Sequence, residues 1–571
     1  MHSSLGREVR SAALAAMASE QLDVLVIGGG IVGAGVALDA ATRGLSVGVV
    51  ESQDWASGTS SRSSKLIHGG LRYLEMLDFR LVAEALRERS LLLGRLAPHL
   101  VQPVPFLYPL THRFWERPYV AMGIGLYDAM AAARGREGRV PRHLHLSRSE
   151  ALRLFPALSP DGVVGAIQYW DGLVDDARYT MMVIRTATMH GALCANRARV
   201  LELRREGERV TGARVVDGES GQVFDVRARQ VINATGVWAD EIQLPGGATG
   251  RFSVRPSKGV HLLVPRDRIK SGSGLILRTE TSVLFVIPWG HHWIIGTTDT
   301  DWPLDKGRPA ASARDLEYLL DHVNRVLATP LTDDDVVGVY AGLRPLVSGN
   351  SGQTSRLSRE HLVVRPAPGL VTVAGGKYTT YRIMARDAVD AAIEAMAGSF
   401  TDCSTDKVSI VGAEGWLGFW NRRHWLADSS GLEINQVEHL LRRYGALTED
   451  VLSLVREDSD LGRPLPGDAG HYIGAEIVYA VTCEGALHLE DVLGRRTRIA
   501  IECLDGGKEA APVVAELMGR VLGWSADRQA LEVEYYARRV DAERAAQEQP
   551  DDCRAEAALM QAPGDFPLQA I

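Results

Sequence analysis

"DVLVIGGGIVGAGVALDAATRGLSVGVVES", residues 23–52, decides the fold. A short run of branched apolar residues, a glycine turn, a helix of small residues and a second apolar run follow without a break. That is the order of a strand–helix–strand unit with parallel strands. Gly28, Gly30 and Gly33 have the G-x-G-x-x-G spacing. Gly28 permits the tight turn, Gly30 lets the backbone approach a pyrophosphate, and Gly33 lets helix and strand pack closely. The helix then offers free N–H groups and the positive end of its dipole to phosphate. Glu51, 18 residues past Gly33, stands where an acid accepts bonds from ribose hydroxyls. The expectation is an α/β protein with a Rossmann-like dinucleotide site.

Outward from this unit, residues 54–70, "DWASGTSSRSSKLIHGG", form a polar loop instead of further strand–helix alternation. Such a loop suits a long, extended cofactor, so FAD is expected rather than a nicotinamide. The chain has 571 residues, too many for one core, and two or three domains are expected. With 46% hydrophobic and 23% charged residues it has an ordinary globular composition. A net charge of −8 argues against nucleic acid as a partner, so anionic ligands must be held by local clusters of cations. Cys194, Cys403, Cys483, Cys503 and Cys553 include no CxxC pair, and no metal site is expected. The "AALAAMA" patch near the start has weak flanks for a signal peptide. The apolar run 119–133 is interrupted by Asp128, and no run reaches the ~18 residues of a spanning helix. A cytoplasmic protein is the baseline.

Seven further blocks carry a resemblance: "TSSRSSKLIHGGLRYLE" (59–75), "DGLVDDARYT" (171–180), "VINATGVWAD" (231–240), "KGVHLLVPR" (258–266), "VIPWGHHWIIGTTD" (286–299), "AGLRPL" (341–346) and "AGGKYTTYR" (374–382). In this order the chain resembles the FAD-dependent glycerol-3-phosphate dehydrogenases of respiratory metabolism, within the D-amino-acid-oxidase type of flavoprotein. The likeness is strong from Asp23 to Met396 and loose beyond. It implies a FAD-dependent oxidoreductase region over 21–403. FAD-binding segments are expected at about 21–100, 160–250 and 366–403. An antiparallel-sheet substrate domain is expected at about 101–159 and 251–365. Helical spacing such as "VEHLLRRYG" suggests a C-terminal helical domain over 404–545, and 546–571 reads as a flexible tail.

The resemblance also implies a reaction. sn-Glycerol 3-phosphate would lose its C2 hydride to flavin N5, giving dihydroxyacetone phosphate, with electrons passed to a membrane quinone. An oxygen-using glycerol-3-phosphate oxidase is the nearest alternative, and a non-catalytic flavin sensor a more distant one. The phosphate calls for guanidinium and phenol donors. Arg72, Tyr73 and Arg359 are implied for it, with Arg344 and Lys377 nearer the reacting hydroxyl. His261 is the candidate proton acceptor, because an imidazole titrates near neutrality. On the cofactor side Thr59, Ser60, Ser63 and Lys65 are expected to donate to pyrophosphate and flavin oxygens, and His68 to face the flavin. Thr235 and Gly236 end a returning strand at the cofactor. Gly375, Gly376 and Lys377 precede a helix whose N-terminus faces the flavin in related proteins. Adjacent His291 and His292 read as a hairpin turn. The segment 112–135 combines Trp and Tyr with Arg113, Arg117 and Arg134, a composition suited to peripheral contact with the cytoplasmic face of the cell membrane. A homodimer is left open, and no calcium loop of the D-x-D-x-D-G type is present.

Overall fold

The computed structural model describes residues 3–70, 79–112, 116–132, 140–242, 253–279, 283–347 and 361–562. Branched apolar residues in the 23–52 unit form strands Gln21–Ile27 and Val47–Val50 around helix Ile31–Thr42. These strands pair in parallel, and Val223–Asn233 and Leu370–Gly375 continue the sheet on one side and Leu193–Ala195 on the other. All four residues of Val47–Val50 are buried, as parallel strands covered on both faces require. The sequence signalled only an apolar patch before the first strand. It is helix Arg7–Ser19, which buries Ala13 and Met17, one turn apart, against this sheet.

A second sheet, ten-stranded among the described residues, supplies the other wall. Strand Val254–Pro265 is its hinge, pairing antiparallel with both His292–Gly296 and Gly338–Val347. The borders differ from the sequence expectation. Leu66–Ile67 and Gly165–Val174, expected in FAD-binding segments, belong to this second sheet, because Gly165–Val174 pairs along its whole length with Val101–Leu110. His361–Ala367 pairs instead with Leu370–Gly375 in the first sheet.

The C-terminal helices are not packed apart. One continuous core joins Tyr179, Met182 and Tyr381 of the cofactor unit to Val437, Leu440 and Tyr444 of the C-terminal helices. Part of the expected tail is also built into the fold. Helix Ala526–Gln547 is followed by helix Asp552–Leu559, whose N-terminus is capped by Asp551. Ala555 and Leu559, four apart, bury their stripe with Trp302 and Leu343. That apolar spacing overrides the polar composition on which looseness was expected. Among the described residues no helix is long and apolar enough to cross a membrane.

Candidate active site

The two sheets meet over a cavity of about 710 Å³, within the range typical of small-molecule and cofactor sites. Its cofactor wall begins at the glycine turn. Gly28 has φ +110°, a conformation that costs other residues strain, and a Cβ there would lie 2.7 Å from Ala234 O. Gly30 lines the cavity. Gly33 does not: a Cβ on it would lie 1.9 Å from Gly28 O, so its work is the close approach of helix to turn. Glu51 lines the cavity and accepts from Gly29 N–H at 2.6 Å and Gln53 N–H at 2.8 Å. Burial raises its pKa against those hydrogen bonds.

His68, Thr235, Gly236, Gly375, Gly376 and Lys377 also line the cavity. Thr235 Oγ1 donates to Asn233 Oδ1 at 2.7 Å, and the His68 N–H donates to Thr379 Oγ1 at 3.2 Å. Helix Tyr381–Glu394 follows a short 3-10 turn, Tyr378–Thr380, so its N-terminal end is turned to this wall.

The polar loop departs from its expected role. Lys65 does not reach the cavity. It is fully buried, and its Nζ donates to Asp176 Oδ1 at 2.8 Å beneath the loop. Its pKa is lowered by burial and by Arg498. Ser63 lines the cavity, but its hydroxyl and N–H both donate to Asp176 Oδ2, at 2.7 and 2.8 Å. Thr59 Oγ1 donates to Leu343 O at 2.7 Å. Ser60 Oγ accepts the Ile31 N–H at 2.9 Å, which leaves its own proton available to a ligand. Lys65 and Ser63 thus shape the loop, because the buried Asp176 carboxylate outcompetes a ligand for nearby donors.

The substrate wall follows from strand periodicity. In antiparallel register Ser257 faces Arg344, Gly259 faces Gly342, and His261 faces Tyr340. The spacing of two puts all six on one face. The central glycine pair leaves room that side chains would close: a Cβ on Gly259 would lie 2.7 Å from Arg344 Nη2. Arg344 Nη2 donates to Thr297 Oγ1 and Thr298 O, both at 3.1 Å, and Nη1 lies 3.3 Å from Asp299. Its side chain remains 26% exposed, toward the cavity it lines. His261 is 3% exposed, stacks on Tyr340 with centroids 4.8 Å apart, and shares a 2.8 Å hydrogen bond through Nε2 with Ser64 Oγ. Burial, Arg344 and Lys65 all push its pKa well down, so the ring is neutral. Ser64 also lines the cavity.

Arg72, Tyr73 and Arg359 lie outside the described residues. Among the described residues no group of His, Cys, Asp or Glu could hold a metal ion. His291 is exposed at its turn, whereas His292 is half-buried in a strand.

Sequence reasoning missed Ser64, Tyr340, Asp176 and Arg498. Tyr340 was legible in principle: "SKGVH" (257–261) and "YAGLR" (340–344) each alternate polar, glycine, polar at spacing two. Arg498 sits in the run "RRTR", which looks like solvated charge. It is instead buried, donating to Asp175 at 2.6 Å and Asp176 at 2.5 Å. Arg496 holds Asp54 with two bonds of 2.7 Å.

A glycine turn, a cavity-lining acid and a helix end around one cavity fit a FAD-dependent oxidoreductase, and the donor set fits the cofactor. Residues 23–382 match the FAD dependent oxidoreductase family, and residues 403–529 match the C-terminal domain of alpha-glycerophosphate oxidase. The chain is 54% identical to the glycerol-3-phosphate dehydrogenase of Mycobacterium leprae over 98% of this chain and 95% of that protein. It is 38% identical to the mitochondrial enzyme of Mesocricetus auratus over 90% of this chain and 72% of that protein. The FAD-complexed glycerol-3-phosphate dehydrogenase of Bacillus halodurans superimposes with a TM-score of 0.76 at 27% identity, covering 93% of this chain and 96% of that one. The chain belongs to the FAD-dependent glycerol-3-phosphate dehydrogenase family.

Proposed function

We propose that the protein oxidises sn-glycerol 3-phosphate to dihydroxyacetone phosphate and passes the electrons to a membrane quinone. The observation that carries this reading is the pair His261 and Arg344, on one face of two paired strands and both lining the cofactor cavity, with Gly259 and Gly342 between them. FAD, when bound, supplies the hydride acceptor. The residues here have three tasks: to hold the phosphate, to orient C2–H, and to take the hydroxyl proton.

Arg344, with Lys377, is the cation set for the reacting end. Arg72, Tyr73 and Arg359 are proposed for the phosphate. His261 takes the proton through Ser64. The ring is almost wholly buried at the cavity wall, and Ser64, which lines the same wall, meets Nε2 at 2.8 Å. The Ser64 hydroxyl accepts the substrate proton as its own moves to Nε2. Burial and two cations weaken the ring as a base. The negative charge that the substrate brings into the cavity offsets part of this cationic field and raises the ring's basicity as substrate arrives.

Helix Glu116–Ala132 supports a peripheral membrane contact, since Met122 is 70% exposed on it and Leu126 and nearby Leu144 are exposed as well. A second acceptor, oxygen, is favoured by the match of residues 403–529 to an oxidase C-terminal domain. Anaerobic mixing with sn-glycerol 3-phosphate, followed by flavin absorbance, tests the reaction. Bleaching followed by recovery on adding a soluble quinone analogue is expected, with slow recovery in air. Rapid recovery in air with peroxide would replace the quinone by oxygen. No bleaching of FAD-loaded protein would overturn the substrate.

A further inference from the structure

Behind the cofactor loop lies a second cavity of about 120 Å³, closed by helices Ala526–Gln547 and Asp552–Leu559. Among the described residues five arginines line it, Arg62, Arg308, Arg495, Arg498 and Arg539, against two carboxylates, Glu490 and Glu543. Arg498, Arg495 and Arg539 are held by acids, and Arg308 donates through Nη1 to Ala562 O at 3.4 Å. Arg498 faces Asp175 and Asp176. Arg495 holds Asp54 at 2.6 Å and Asp491 at 2.7 Å. Arg539 pairs with both lining carboxylates, and Glu490 is shared with Arg495.

Arg62 has no such answer. Its guanidinium makes no ion pair and no hydrogen bond among the described residues, and the residue borders both this cavity and the main one. Burial and neighbouring Arg539 pull its pKa down to about 10. Arg308 is lowered by the same two causes. A guanidinium disfavoured in its charged form, beside an open space, marks a missing negative charge. The rest of the lining is uncharged: apolar side chains, including Ala310, Ala341 and Ala500, with Ser61, Tyr340, Tyr536 and Gln547 among them. The space admits a group of a few heavy atoms and excludes a nucleotide.

We propose that this cavity binds a small oxyanion of the charge and size of inorganic phosphate, between Arg62, Arg308 and Arg539. The site is separate from the reacting one and does not depend on the reaction proposed above. Arg62 comes from the cofactor loop, between Ser60 and Ser63, and Arg539 from a C-terminal helix. The anion therefore ties the C-terminal helices to the loop that shapes the cofactor wall, making that loop's order responsive to phosphate.

Isothermal titration of the FAD-loaded protein with inorganic phosphate tests this. Two classes of site are expected in the unaltered protein. Arg344→Ala should leave the second class intact, while Arg308→Gln and Ala500→Leu should each weaken it at least about tenfold, a loss typical of one charge-assisted contact. Ala500→Leu fills the space without changing a charge, so it decides the matter should Arg308→Gln not fold. Binding abolished by Arg344→Ala, or unaffected by Ala500→Leu, overturns the proposal and marks any residual binding as an adventitious ion only.

Discussion

Arg344 and Arg498 carry the same group, yet the fold uses them in opposite ways. Arg498 is buried and held by two carboxylates at 2.6 and 2.5 Å. Arg344 is a quarter exposed, and its acid, Asp299, lies at 3.3 Å while also accepting from Ser257. Held at close range by two carboxylates, Arg498 is committed to the fold. Arg344, at the cavity wall and oriented by neutral oxygens as well as by its acid, has charge to offer a ligand. Lys65, locked onto Asp176 beneath the loop, and Lys377, at the cavity wall, likewise differ in place.

The contrast can be broken at Asp176, which serves Lys65, Arg498 and Ser63 together. Asp176→Asn keeps the shape but leaves buried Lys65 without its acid and Arg498 with Asp175 alone. A loss of about 3–5 kcal/mol is expected, seen as a lower thermal midpoint with early release of flavin. An unchanged midpoint would show that the network is not structural.

At the ligand-facing pole, Arg344→Ala should leave folding and flavin content intact. It should lower kcat/KM for sn-glycerol 3-phosphate on the order of 100- to 1,000-fold, with partial rescue by Arg344→Lys. A large fall in stability instead would place Arg344 in the structural class.

The paired class also titrates. His488 meets Glu532 through Nδ1 at 2.9 Å and Glu219 through Nε2 at 3.1 Å. Burial and Arg197 oppose its charge, yet the two carboxylates raise its pKa to about 9 from 6.5. The folded state thus holds this proton more tightly than the unfolded chain. The stabilisation is complete below about pH 6.5 and is lost as pH rises through about 9, a loss on the order of 3 kcal/mol. Denaturant unfolding across that range should show the decline in the parent protein, and His488→Gln should flatten it.

The smallest expected effect is at Ser64. Ser64→Ala should reduce kcat about tenfold with little change in KM, and should shift the acid limb of the pH–rate profile, because the route to His261 Nε2 is removed. A change confined to KM would make Ser64 a substrate contact rather than a relay.

How much of this was legible depended on the range of the interaction that sets each feature. The glycine turn, the strand–helix–strand unit and Glu51 could be read directly, since turn chemistry and apolar periodicity act within some thirty residues. The blocks around His261, Arg344 and Lys377 were legible as chemistry, and the cavity gathers all three. Lys65 was misread because its partner is 111 residues away. A lysine in a polar loop looks the same in sequence whether it faces a phosphate or a buried aspartate. Part of the expected tail failed as a reading for a related reason. Its composition is polar, but Ala555 and Leu559 find a groove made by Trp302 and Leu343.

The sequence alone therefore determined the class of fold, the cofactor and the set of cations from which a phosphate site could be built, because these rest on local geometry and residue chemistry. Only the tertiary structure decided which cations are already neutralised. That choice rests on partners brought within 3 Å from distant parts of the chain, and on burial that makes each unmatched charge costly. It separated Arg344 from Arg498, and it left Arg62 without an ion pair among the described residues.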